Sequence, residues 1–395
     1  MNKNIPILWP AILVSLAGAQ TFRLVDLGTL GGQSNAFALS ASGETAGTAT
    51  KPDSHFVPVR FSADGAPEEL PALAPQLEHV VFGFDPLGRP IGTSYTLGNM
   101  DLAAFRIEAA GPTLLGAFAA RACNAAGDIA GSTRVVATDG LTLPVACLYR
   151  AGTLIVLPSL GGRTSQALGL DDLGRAVGSA STAGEAAVRP CIWTTPTRAV
   201  DLGTLGGPTG QAAASRDDGS GGAIVVGHSV APSDGLRHAT RWRVNAAGVV
   251  LSRSDLGILR PGTSSFALAQ NATGDAVGTS DFRAVLFRAG AVLDLNQLLT
   301  AEAPGWVLES AAAINDTGQI VGTGTLLGFP RAFMLEPFRC FADFNQDGGV
   351  DGADVEAFFT AWESGQSVAD VNADGGVDGS DVDTFFAAWE SGSCN

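Results

Sequence analysis

Basic residues are scarce: Lys plus Arg number 23 against 39 Asp plus Glu, and the formal net charge is -16. With no basic stripe to neutralise phosphates, the composition argues against nucleic acid as a partner. Only four His occur, His55, His79, His228 and His238, and none falls in a metal or triad spacing. The five Cys form no CxxC or His-Cys grouping, which removes the common zinc and redox motifs. Beyond the N-terminal segment, no apolar run approaches the roughly 20 residues that a spanning helix needs. What is plentiful is glycine, 51 residues of it, as expected of many short strands joined by tight turns rather than of long helices.

The chain opens MNKNIPILWPAILVSLAGAQ. One Lys, an apolar run from Ile5 to Leu16 and the small residues Ala17, Gly18 and Ala19 predict a signal peptide over 1–19, with the mature chain starting at Gln20. An uncleaved anchor is the rival reading, but the run is short and holds Pro6 and Pro10. Export to the cell surface or the extracellular space follows as the expectation, with no membrane span after cleavage. Acidity is concentrated at the other end: from Cys340 onward there are twelve Asp or Glu and no Lys or Arg, so the body is close to neutral. In an exported chain Cys340 and Cys394, which bracket this acidic segment, are the natural disulfide pair. Cys123, Cys147 and Cys191 read as small buried hydrophobes rather than ligands.

The body repeats. A segment of the form Gly, any residue, two apolar or small residues, Gly reads GETAG to Gly47, GRPIG to Gly92, GDIAG to Gly131, GRAVG to Gly178, AIVVG to Gly227, GDAVG to Gly278 and GQIVG to Gly322. Spacings of 45, 39, 47, 49, 51 and 44 give a period in the forties, seven times over. Each copy adds an alternating run such as SNAFALS before it, a run such as RAFML after it, and one such as TRAVDLGTL. Four short strands per repeat is the unit of a β-propeller blade. The seventh repeat stops after RAFML, and the mature N-terminus, TFRLVDLGTL (21–30), is a fourth strand without the other three. The fold expected over 20–338 is therefore an all-β, seven-bladed β-propeller whose N-terminal strand pairs with residues near 330–336 and closes the last blade. An open solenoid is the rival, but its ends would be capped, not complementary.

DLGTLGG (26–32 and 201–207), PSLGG (158–162) and SDLGIL (254–259) recur between blades. LGTLGG lacks the GxGxxG spacing of a dinucleotide cradle and is followed by strand-like alternation, so turn chemistry is expected. The Asp residues Asp26, Asp201 and Asp255 should likewise tie up turn amides. With NDTGQIVG (315–322) and the RAFML-type segments, these motifs resemble the extracellular HAF-repeat family of bacteria over residues 22–335. That resemblance implies export and repetition, and leaves the ligand of the propeller face unknown.

The C-terminal 339–395 carries DFNQDGGVDGAD (343–354) and DVNADGGVDGSD (370–381). Oxygen donors at positions 1, 3, 5, 9 and 12, with Gly at 6 for the sharp turn, are how a short loop collects the oxygens of Ca2+. The candidate ligands of the first ion are Asp343, Asn345, Asp347, the Gly349 carbonyl, Asp351 (directly or through water) and Asp354. Those of the second are Asp370, Asn372, Asp374, the Gly376 carbonyl, Asp378 and Asp381. Crowded carboxylates repel without a cation, so folding and binding of the two Ca2+ ions should be coupled. After each loop Val355, Phe358, Phe359 and Trp362, and again Val382, Phe385, Phe386 and Trp389, fall at helical spacing on one face and predict a shared core. Loop plus exit helix, repeated 27 residues on, resembles a type I dockerin, a paired EF-hand module. The resemblance implies calcium binding and a cohesin-like or surface partner. The positions that help such modules grip a cohesin hold Gly352-Ala353, Gly379-Ser380, Phe359-Thr360 and Phe386-Ala387 here.

Two functions follow as expectations. The first is an exported, non-catalytic propeller that presents a binding or scaffold surface and carries a calcium-dependent docking module. The second is a polysaccharide-active enzyme brought to a complex by a dockerin, with two channel carboxylates as acid and base.

Overall fold

The structure is a computed structural model that describes residues 20–52, 56–62, 67–74, 77–96, 102–300, 303–338, 340–345, 349–372 and 374–390. The expected signal peptide over 1–19, His55, Asp347 and Cys394 lie outside the described residues, and with Cys394 so does the expected disulfide. Two compact units divide the chain, one spanning Phe22–Pro337 and one built on Phe338–Asn395. Among the described residues, no helix is long and apolar enough to cross a membrane.

The larger unit is a seven-bladed β-propeller, seven four-stranded sheets taken in chain order. The first strands of the blades are Ser34–Leu39, Glu78–Phe84, Ala119–Cys123, Gly161–Leu170, Gly210–Asp217, Ser265–Gln270 and Trp306–Ile314. Blade 7 is completed by the N-terminal strand Thr21–Asp26, which pairs with Phe329–Phe338. The Leu27 amide donates to the Ala332 carbonyl at 3.2 Å and the Ala332 amide to Ser34 Oγ of blade 1 at 3.0 Å. Closure is as the complementary ends of the repeat array foretell, because an unpaired third strand and an orphan fourth strand satisfy each other's backbone groups.

The core lies between blades. Leu27, Val321, Ala332 and Met334 of blade 7 pack on Ala36, Ala49, Val59 and Phe61 of blade 1, and the same kind of cluster joins blades 3 and 4 through Leu148, Leu157, Leu170 and Trp193. Both sheet faces are thus buried, which is why second strands such as Thr45–Thr50 are buried at every position. Cys147 and Cys191 belong to these layers and are free thiols; Cys123, also free, is half-buried.

The recurrent Gly-bounded motif has two physical parts. Its first glycine closes a turn after the inner strand: Gly43, Gly88, Gly127, Gly174, Gly274 and Gly318 have φ from 71° to 93°, the left-handed region that favours glycine. The residue opening the turn caps it. Asp85 Oδ1 accepts the amides of Leu87 and Arg89, and Asn124 Oδ1 those of Ala126 and Asp128. The second glycine sits in the second strand against the inner one. A Cβ on Gly131, Gly178 or Gly278 would lie 1.9 Å from a carbonyl oxygen of the inner strand, and on Gly47, Gly92, Gly227 or Gly322 within 2.2 Å. Immediately after the residue paired with that glycine, every inner strand bulges, as between Ala36 and Ala38, Ala120 and Ala122, and Ala267 and Ala269. The glycine permits the approach that the bulge requires.

The DLG motifs behave as turn chemistry. Asp26, Asp201 and Asp255 each accept the amide two residues on, at 2.9, 2.7 and 2.7 Å. Each also faces a basic side chain of the third strand: Arg331, Arg189 and His238. His238 lies between Asp255 (Nδ1 to Oδ2 2.7 Å) and Asp234 (Nε2 to Oδ2 3.0 Å).

Candidate functional site

Two places in the molecule combine unusual geometry with chemistry: the acidic loops of the smaller unit and the channel of the propeller. Each exit helix of the smaller unit, α1 (Gly352–Glu363) and α2 (Gly379–Glu390), begins at its loop's tenth residue. Asp351 caps α1 by accepting the Ala353 amide at 2.8 Å, and Asp354 returns the favour at the Asp351 amide, a reciprocal capping box. The ninth residue of the first loop therefore already has a role in the helix start.

The two helices share the core expected of them. Phe358 and Phe385 stack at 4.2 Å with an interplanar angle of 1°, surrounded by Val355, Phe359, Trp362 and their counterparts Val382, Phe386 and Trp389. Trp362 Nε1 donates to the Asp378 carbonyl at 2.8 Å and Trp389 Nε1 to the Asp351 carbonyl at 3.2 Å. Each helix thereby holds the ninth residue of the opposite loop.

Asp354 and Asp381, the twelfth residues, are fully buried acids. Asp354 accepts the Asn345 and Asp351 amides, and Asp381 those of Val371, Asn372 and Asp378, so each carboxylate pins its loop's start to its end. Burial pushes the Asp381 carboxyl up, but the Asp378, Asn372 and Val371 amides outweigh it and hold it below the usual carboxylate range. In the second loop Asp370 accepts the Asp374 and Gly375 amides, Asn372 Oδ1 the Asp374 amide, and Asp374 Oδ1 the Gly376 amide. Gly375, at the sharp turn, has φ 91°. The side chains offered are all hard oxygen donors, without His or Cys, which fits Ca2+ rather than a softer metal. Among the described residues no three acidic, His or Cys side chains converge as a ready-made metal cluster. Asp343, Asn345 and Gly349 lie in the first loop with Asp351 and Asp354.

The propeller channel was not legible in the sequence. Its inner strands line a cavity of about 690 Å³, and the bulged residues Phe37, Phe82, Arg121, Leu168, Ala213, Leu268 and Ala312 form a ring around it. Phe37 and Phe82 lie 5.7 Å apart, and the Arg121 guanidinium sits 4.6 Å above the centre of the Phe82 ring. Two carboxylates also line the cavity. Asp85 binds Arg89 at 2.6 Å, and Asp172 accepts the Ala125 amide at 2.9 Å. Cys123 lines it too, but burial pushes its thiol up to about 12, so no thiolate is available there. A sequence signal for the ring exists: in six blades the ring residue lies ten positions before the second glycine, as Arg121 does before Gly131, and in blade 5 fourteen.

No family model and no curated protein matches the chain. Solved structures similar to it include virginiamycin B lyase from Staphylococcus aureus, at 13% identity over 80% of this chain and 99% of that one, with a TM-score of 0.47. A puromycin hydrolase is 20% identical over 78% of this chain and 51% of its own, at 0.46. A gluconolactonase from Xanthomonas campestris is 13% identical over 82% and 92%, at 0.42. At these values the likenesses carry no activity to this chain, and the propeller rests on its own strand order.

Proposed function

We propose that this chain is an exported calcium-binding protein, a non-catalytic propeller of the HAF-repeat kind with a dockerin-like module that docks it, in calcium, to a cohesin-like or surface partner. The observation that carries the calcium half is the pair of fully buried carboxylates, Asp354 and Asp381, each fastened to the backbone of an all-oxygen loop. The amides that hold these two carboxylates leave each loop with a set of acidic side chains, and no basic residue in the segment balances them. A bound cation would neutralise that charge. The first ion would be held by Asp343, Asn345, Asp347, the Gly349 carbonyl, Asp351 and Asp354. The second would be held by Asp370, Asn372, Asp374, the Gly376 carbonyl, Asp378 and Asp381. The bound ions neutralise the crowded carboxylates and set the two helices for docking. A Cys340–Cys394 disulfide clasps the module in this reading, which suits the space outside the cytoplasm.

The rival, a polysaccharide-active enzyme, needs an acid and a base facing each other across a substrate. Asp85 and Asp172, the carboxylates of the cavity lining, are both engaged, which favours the binding reading. Far-ultraviolet circular dichroism and tryptophan fluorescence of the full chain, titrated with calcium and then with chelator, test the proposal. A reversible gain of helix and a change at Trp362 and Trp389 are expected; an unresponsive spectrum up to millimolar calcium would refute it. Sugar release from plant and algal polysaccharides would instead establish the enzyme.

A further inference from the structure

We infer that the propeller channel is a binding site for a small amphipathic monoanion, a carboxylate carrying an aromatic or branched aliphatic body, with its charge on Arg121 and its body against the apolar ring. The inference deepens the reading of the propeller as a ligand-presenting body and names the ligand class. It is independent of the calcium loops.

Arg121 is the single charged member of the ring, pushed inward by the bulge opposite Gly131. The six other ring members are apolar, and the two carboxylates of the cavity lining are engaged elsewhere, Asp85 with Arg89 and Asp172 with the Ala125 amide. No carboxylate and no hydrogen-bond acceptor among the described residues meets it; its contact is the face of Phe82. A guanidinium stays protonated at any physiological pH, and its planar fork suits a carboxylate. Arg121 is exposed to the channel, and the protein packed around it draws its pKa down, an effect that the nearby Tyr95 only partly offsets. Elsewhere the arginines of the blade ends are matched: Arg89 with Asp85, Arg150 with Asp128, Arg175 with Asp171 and Arg288 with Asp275. Arg121 has no such carboxylate, and it faces a cavity rather than a turn.

The ring's shape sets the ligand's body. Phe37, Phe82 and Arg121 come from consecutive blades 1 to 3, Leu268 of blade 6 lies across the ring from them, and the short Ala312 of blade 7, beside Phe37, leaves room there. A volume of about 690 Å³ falls in the range of small-molecule sites. Asp85 and Asp172 in the same lining add negative charge, which admits a monoanion and disfavours polyanions.

The test uses the full chain and a fluorescent amphipathic anion, 1-anilinonaphthalene-8-sulfonate, displaced by 4-phenylbutyrate or by its neutral analogue 4-phenylbutan-1-ol. On the wild type the acid should displace the dye at roughly tenfold to a hundredfold lower concentration than the alcohol, the scale of one charge-assisted contact. Arg121→Met should remove that preference, Arg121→Lys should keep part of it, and Ala312→Phe should weaken acid and alcohol alike, each with an unchanged melting curve as the check on folding. Equal displacement by acid and alcohol, a preference that survives Arg121→Met, or no displaceable dye would overturn the inference. Every titration is run with calcium and with chelator, so that failure of the calcium loops and failure of this site are read separately.

Discussion

Replacing Gly178 by Ala should damage the propeller out of proportion to the one methyl group added. Its Cβ would stand 1.9 Å from the Gln166 carbonyl oxygen, 2.9 Å from that carbonyl carbon and 3.0 Å from Ala167 Cα, all backbone atoms of the bulged inner strand. No rotamer change can relieve a clash with backbone, so the two strands must part by about 1 Å in an interior packed as densely as a crystal. The cost expected is about 1–3 kcal/mol, the usual range for overpacking, which lowers the melting temperature by roughly 2–6 °C in a chain of this size. Gly83 is the control: it too lies in an inner strand, has no left-handed φ, and a Cβ there meets nothing within 4 Å. Gly83→Ala should be neutral or slightly stabilising, since alanine restricts the unfolded chain. Differential scanning calorimetry of the two variants against the wild type reads the difference. Equal melting temperatures for both would refute the argument that the repeated glycine exists to admit the bulge.

Phe22 is 1% exposed in the closing strand, so Phe22→Ala should destabilise the propeller by about 3–5 kcal/mol, measured by urea unfolding; a loss below about 1 kcal/mol would contradict strand closure as a source of stability. Burial lowers the His238 pKa, but the Asp255 and Asp234 carboxylates outweigh it, and the imidazole is raised above 6.5. A raised folded pKa gives stability present below the unfolded value and lost as pH rises through the folded one. The wild type should therefore lose melting temperature above pH 6.5 more steeply than His238→Gln, and parallel profiles would contradict this. The thiols of Cys123 and Cys147 are pushed up to about 12 by burial and that of Cys191 well above its usual value. All three should resist Ellman's reagent at pH 8 until the chain is unfolded, and rapid labelling of the native protein would count against the packing described.

The blades were legible because each repeat advertises its turns. Gly43 or Gly318 can be read directly as a residue needed for its backbone, and the orphan strand at 21–30 demands the partner it finds in Phe329–Phe338. The aromatic faces of the two exit helices were legible for a like reason: spacing of 3, 4 and 7 has one structural meaning. Arg121 was not. A bulge inserts one residue into a strand and so breaks the alternation from which inward and outward faces are read. In AARAC, alternation alone makes Arg121 an ordinary strand residue, and its spacing of ten from Gly131 gains meaning only once the pairing of Ala120 with Gly131 places the bulge there. The double role of Asp351, a candidate ligand that also caps α1, was hidden for a different reason, since ligand spacing and capping spacing coincide.

In the proposed function the two acidic loops each bind one calcium ion. Equilibrium dialysis with radioactive calcium on the full chain, beside Asp370→Ala and the double variant Asp343→Ala with Asp370→Ala, measures it directly. Two ions per wild-type chain, one for the single variant and none for the double variant are predicted. A wild type that retains no calcium, or a double variant that retains as much as the wild type, would mean that these loops do not hold the ions.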